Sequence, residues 1–175
     1  MIPKPKKGFT LLEMVVYIAV LAVIIGAVSS LFLWAFRSQR KARAIQEVAD
    51  NGRVAMGAIL QEIREAKKAY LPTSVFDSDS GQLSLETAKY LPAGETTAFV
   101  DFYLCQSRLC LKKEGEDPLA VTSGKVRVKK LRFTRLVTNQ KDSFEIDLEI
   151  DFNNPKISDN QATIVLNSVA SPRSY

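Results

Sequence analysis

The side chains best suited to covalent chemistry are two cysteines, Cys105 and Cys110, in a chain of 175 residues without a histidine. Histidine is the usual general base and the commonest metal ligand near neutral pH, so its absence removes most acid–base and metal-hydrolase readings. Two cysteines with no second pair make a poor zinc set. If Ser107 and Arg108 form a two-residue hairpin turn, Cys105 and Cys110 oppose each other in a non-hydrogen-bonded pair, with Leu104 opposite Leu111. Their Cα atoms would then lie about 5.5 Å apart or less, which suits a disulfide in an oxidising compartment. Two free, small core residues are the alternative. The run Asp77-Ser78-Asp79-Ser80-Gly81 begins like a calcium loop, but position 81 offers no side-chain oxygen and Glu86 is wrongly spaced. A turn is the better reading. There is no phosphate-cradling glycine loop. No catalytic residue, metal or cofactor is expected, and the chain is read as a non-enzyme.

One acid stands where acids are costly. Glu13 heads a run of 23 residues, 14–36, without Asp, Glu, Lys or Arg. As a helix that run spans roughly 34 Å, enough for a hydrocarbon core of about 30 Å. An ordinary secretory signal has a shorter apolar region, followed by a small-residue cleavage site. Here Arg37, Arg40, Lys41 and Arg43 follow instead, so the segment should remain in the mature protein. A charge at the centre of a membrane helix costs about 2.5–3.5 kcal/mol. Glu13 therefore needs headgroup depth, favoured by the helix dipole, or a partner.

What precedes Glu13 supplies a context. The stretch Lys4-Pro5-Lys6-Lys7-Gly8-Phe9-Thr10-Leu11-Leu12-Glu13, running into the apolar segment, resembles the prepilin-type signal of type IV pilins and type II secretion pseudopilins. The resemblance implies cleavage between Gly8 and Phe9 by a prepilin peptidase at the cytoplasmic membrane surface. It implies N-methylation of Phe9, and an assembly salt bridge between the Phe9 ammonium of one chain and Glu13 of a neighbour. Two buried charges then offset each other only in one axial register. A plain signal anchor is the alternative. Lys4, Lys6 and Lys7 favour a cytoplasmic N-terminus, but the four basic residues after the membrane segment outnumber them. Charge counting leaves the orientation open, and the resemblance places the N-terminus inside. Without those three lysines the formal charge of +5 falls to +2, so the basic pI says little about nucleic acid.

Ile45, Val48, Ala49, Ala55, Met56, Ile59, Leu60 and Ile63 recur at helical spacing, with Glu47, Asp50, Arg53, Glu62, Arg64 and Lys68 largely off the stripe. No proline falls between residues 6 and 71. One helix over 9–70 is expected, its first part (9–36) for the membrane and assembly, its second (37–70) amphipathic. Gly52 lies on the stripe, which favours packing on a sheet over a coiled coil. Residues 71–175 read as β, with strands at 82–87, 97–105, 109–114, 125–137, 143–152 and 162–169. The clearest runs from Phe144 to Phe152, with Phe144, Ile146, Leu148, Ile150 and Phe152 on one face and four acids on the other. The preceding strand carries Arg127, Lys129, Lys130, Arg132 and Arg135, which antiparallel pairing sets against the acids. Its apolar phase shifts near Lys129-Lys130, the sign of a β-bulge. The expected class is α+β, a long helix laid by its second half on an antiparallel sheet, ladle-like, behind a cleaved leader at 1–8.

Residues 50–66, Phe102-Tyr103-Leu104-Cys105 with Leu109-Cys110-Leu111-Lys112, and 125–133 are similar to PilW-type minor pilins and J-type minor pseudopilins. Major type IV pilins commonly carry a proline in the membrane helix, and this chain has none. The expected protein is a minor pilin or pseudopilin of the inner membrane, with its C-terminal domain outside the cytoplasm. It would work with prepilin peptidase, other pilin or pseudopilin subunits and an inner-membrane assembly platform, and with nucleic acid only in a DNA-uptake system. A major subunit, or an anchored binding domain that never polymerises, are the alternatives.

Overall fold

A computed structural model describes residues 8, 10–91, 93–138, 141–153 and 162–173. It comprises two compact units, Met1–Arg40 and Lys41–Tyr175. One helix, α1 (Leu11–Glu65), contributes to both. Within the first unit α1 has the 18-residue window of highest mean hydropathy, 2.7, and none of that window is buried.

In the second unit, α1 buries Ala44, Val48, Gly52, Ala55, Met56, Ile59, Glu62 and Ile63. Spacings of three and four keep these on one face. The face differs slightly from expectation. Ile45 is exposed, and Glu62, expected in solvent, is only 8% exposed. Gly52 admits the sheet: a Cβ there would lie 2.9 Å from Leu166 Cδ1 and 3.5 Å from Ile164 Cγ2.

The helix also stops five residues short of the expected end. Lys68–Ala69 form β1. The Lys67 N–H donates to Glu86 O and the Tyr70 N–H to Ser84 O, both at 2.8 Å. Sheet pairing has taken over the backbone groups before Pro72 could end the helix, and the residue ahead of a proline is itself biased to extended conformation.

Seven more strands follow. They are β2 (Leu83–Thr87), β3 (Ala98–Cys105), β4 (Arg108–Lys113), β5 (Leu119–Ala120), β6 (Val126–Thr138), β7 (Lys141–Phe152) and β8 (Thr163–Ala170). They form two antiparallel sheets rather than the single sheet expected, ordered β1-β2-β3-β4-β5 and β6-β7-β8. Both sheets give apolar residues to one core, in which Leu85, Phe102, Phe133, Phe144, Ile146 and Leu148 are at most 1% exposed. The link between the sheets is tied to the helix. Asn51 Oδ1 accepts the Ser123 N–H at 2.8 Å, and Lys125 Nζ meets Glu47 Oε2 at 3.1 Å.

The β6–β7 ladder matches the charge pattern. Arg127 stands opposite Asp151, Lys130 opposite Glu149 and Arg132 opposite Asp147, and the register shifts between Val128 and Lys130, where the bulge was expected. The ion pairs themselves run partly on the diagonal. The extra residue, Lys129, reaches Asp151 at 2.6 Å, Lys130 reaches Asp147 at 4.0 Å, and Arg132 turns to Asp79 at 3.4 Å. Burial pushes the Asp151 carboxyl up. The Lys129 ammonium, the Thr163 hydroxyl and the Arg127 guanidinium outweigh it and hold the group below the usual carboxylate range.

Candidate functional site

The site indicated by the sequence is the head of α1. Thr10 precedes the first helical residue and caps it. Its Oγ1 accepts the Glu13 N–H at 3.3 Å, and its carbonyl accepts the Met14 N–H at 3.2 Å. Thr-x-x-Glu is the capping-box spacing, with threonine at the N-cap and the acid three residues on. That signal stands in the sequence, and a reading for charge alone passes over it. The Glu13 carboxylate is thus free of the cap's main bond, and its Oε1 accepts the Tyr17 hydroxyl at 3.3 Å, one turn further along. Tyr17 is a second residue missed in the sequence, and the i, i+4 spacing could have indicated it.

Gly8 is described and exposed. A Cβ there would meet nothing within 4 Å, so no neighbour among the described residues demands a glycine. Phe9 and the leader residues 1–7 lie outside the described residues. The expected cleavage junction, the methylated group and the Phe9–Glu13 pair therefore fall partly or wholly beyond them. Around and beyond Glu13, Leu11, Val15, Ile18, Leu21, Ile25 and Phe32 are each more than half exposed. A helix segment apolar on every side, and exposed among the described residues, is suited to lipid or to other apolar helices.

The hairpin expected at the cysteines exists in a different register. The turn residues are Gln106 and Ser107, with φ of 49° and 60°, and Cys105 pairs with Arg108 while Cys110 pairs with Tyr103. Leu104 therefore faces Leu109, not Leu111. Two consecutive left-handed residues make the type I′ turn that matches strand twist. Asparagine and glycine are its usual signals, so Gln-Ser hid it. The disulfide Cys105–Cys110 joins the strands diagonally, with Cα atoms 5.8 Å apart. We expect thiol labelling of unreduced, denatured protein to find neither cysteine. Replacing both by serine should cost about 2 kcal/mol, because the closed loop is short. Chemical denaturation of the oxidised parent against the double serine variant measures this.

A second ionisable cluster sits near the C-terminal end of α1. The Tyr90 hydroxyl donates to Glu62 Oε1 at 3.3 Å, Lys89 pairs with Glu65, and Lys113 Nζ lies 3.7 Å from the centre of the Tyr90 ring. Burial raises the Glu62 pKa, while the Tyr90 hydrogen bond only partly opposes this. The sign follows. A carboxyl with a raised folded-state pKa contributes stability that is full below the ordinary 4.5 and is lost as pH rises through the folded value. Glu62→Gln keeps an acceptor for Tyr90 and removes the charge. It should stabilise the domain at pH 7 by on the order of 1 kcal/mol and flatten the stability–pH curve above 4.5. Chemical denaturation across pH 4–8 reads both effects.

Among the described residues, no cluster of three or more metal-ligating side chains occurs. Asp77 and Asp79 instead bind Thr134 and Arg132.

Comparison with known proteins bears on the head of α1. Residues 3–29 match the prokaryotic N-terminal methylation motif. A solved structure, the type IV-like pilin TTHA1219 from Thermus thermophilus, is similar at 11% sequence identity. The likeness covers 71% of this chain and 95% of that one, with a TM-score of 0.49. No curated protein matches the chain at a significant level. The motif takes in Gly8, Glu13 and much of the uncovered apolar helix. The chain thus carries the prokaryotic N-terminal methylation motif at the head of α1.

Proposed function

We propose that the chain is a minor pilin or pseudopilin, a structural subunit of a type IV pilus or type II secretion filament. Residues 9–36 hold it in the inner membrane, with the β-rich unit outside the cytoplasm. A prepilin peptidase cuts between Gly8 and Phe9, the new amino group of Phe9 is methylated, and the subunit enters the filament through its N-terminal helix. One observation carries this reading: a lone carboxylate, Glu13, heads an uncovered apolar helix inside the methylation motif. Gly8 adds support, since no described neighbour explains a glycine there, whereas a peptidase approaching the backbone does. The proline-free membrane segment and the likeness of 50–66 to minor subunits favour a minor over a major role.

Mass spectrometry of the protein from membranes with an active prepilin peptidase is the test. The expected N-terminus is Phe9, methylated. An intact leader defeats the proposal. Copy number in purified filaments separates a minor from a major subunit.

A further inference from the structure

The two sheets have four edges, and three of them are blunted. The edge strands β1 and β5 are two residues long. The outer edge of β6 is occupied. Asp77 N–H donates to Phe133 O at 2.9 Å, Gly81 N–H to Leu131 O at 2.8 Å, Leu131 N–H to Asp79 O at 2.9 Å, and Val128 N–H to Ser107 O at 2.8 Å. The fourth edge, β8, is eight residues long and carries no charge. Among the described residues, nothing pairs with its outer side. Charges, prolines, bulges and short lengths are how proteins protect such edges, and β8 has none of these devices.

The Phe152 N–H donates to Ala162 O, and β7–β8 pairing is regular from Asp151↔Thr163 to Phe144↔Ala170. Hydrogen-bonded and non-bonded pairs alternate in an antiparallel ladder. Residues 164, 166, 168 and 170 therefore bond to β7, and the N–H and C=O groups of Thr163, Val165, Asn167 and Val169 point outward. Two of these carry exposed valines, Val165 at 67% and Val169 at 52%. The other two spend their side chains on β7: Thr163 Oγ1 donates to Asp151 at 2.7 Å, and Asn167 Nδ2 donates to Glu145 at 2.9 Å and Asp147 at 2.6 Å. Glu145, directly across from Val169, accepts that amide bond and meets no cation among the described residues.

We infer that β8 is a strand-addition site, which takes an extended segment of another protein chain as a fourth strand of the β6-β7-β8 sheet. The incoming backbone supplies the hydrogen bonds, as in other edge-recognition modules. Its side chains on the outer face are apolar and β-branched beside Val165 and Val169, with a lysine or arginine able to reach Glu145. Two strand spacings, about 9.6 Å, separate that residue from β7, within the combined reach of a lysine and a glutamate. Eight residues span only about 26 Å, and such a contact is smaller than the roughly 1,200–2,000 Å² of stable complexes. The partner is thus a chain held nearby by other contacts, for which this edge sets register.

The test uses the full chain in lipid nanodiscs and two synthetic ten-residue peptides with threonine on one strand face and, on the other, valine in turn with lysine in the basic peptide or with glutamate in the acidic one. Hydrogen exchange over residues 163–170 is the readout. The basic peptide should slow exchange of the outward amides about tenfold, saturably, and the acidic peptide should not. Val165→Pro removes one outward donor without touching the β7 ladder and should abolish the effect. Val165→Lys with Val169→Lys, which keeps every backbone group, should do the same. No slowing with the basic peptide, equal slowing with the acidic one, or full slowing in both variants overturns the inference. Protection that grows with protein concentration in the absence of peptide makes the occupant a second copy, and also overturns it.

Discussion

Glu13→Ala is expected to leave membrane insertion, processing and the β-rich unit intact while sharply reducing co-purification with other filament subunits. The helix start should survive, because the Thr10 cap uses the backbone N–H of residue 13 and not its carboxylate. On the proposed function, what is lost is the partner for a neighbour's Phe9 ammonium. Leaving one buried charge unpaired costs about 3–5 kcal/mol, roughly a hundredfold or more in incorporation. Glu13→Gln should behave alike, since shape without charge does not neutralise an ammonium. Tyr17→Phe is the control: it removes the hydroxyl that Glu13 accepts and leaves the charge. Quantifying the variant in the assembled fraction decides the matter. Normal levels for both Glu13 variants would make the residue a helix-start acid, and would favour an anchored domain that does not polymerise.

Gly8→Val should leave the precursor in the membrane, uncut and unassembled. Among the described residues the position is sterically open, and a Cβ placed there would meet nothing within 4 Å, so the substitution gives the fold no reason to fail. The effect should fall on the peptidase alone, which needs close access to the backbone. The leader should persist on intact-mass measurement while the stability of the β-rich unit stays within about 0.5 kcal/mol of the parent, as for a neutral surface change. Full processing of Gly8→Val would separate the motif from its proposed use.

The features legible in the sequence were those written in periodicity and charge. The alternation of β7 and the basic row of β6 specified a ladder, and the phase slip at Lys129-Lys130 specified a bulge that the structure contains. The uncharged run behind Glu13 specified the exposed half of α1. The rest was decided by partners remote in sequence. Glu62 looks like a solvent residue until Tyr90 and the loop before it close over the helix. Residues 66–70 hold a helical pattern, yet the backbone of β2 offers them better bonds. β1 and β5 are too short to carry any alternation. The hairpin register turned on two residues, Gln106 and Ser107, whose types do not announce a left-handed turn. At the head of α1, Thr10 was legible as a cap and was overlooked beside the more conspicuous charge of Glu13.

Strand order within each sheet follows chain order without a crossover, β1 to β5 and then β6 to β8. Within each sheet, every strand after the first therefore docks on the one made just before it. The pairings that build each sheet join strands consecutive in the chain, which keeps their sequence separation modest and favours faster folding than a crossover topology would. A chain emerging N-terminus first can lay down its sheets strand by strand, and the long-range steps are few: the closure of α1 on the finished sheets and the seating of 77–81 along β6. Misfolding should thus concentrate where those late steps leave apolar surface uncovered, around Gly52, Ile59 and Leu131, and little in the hairpins themselves.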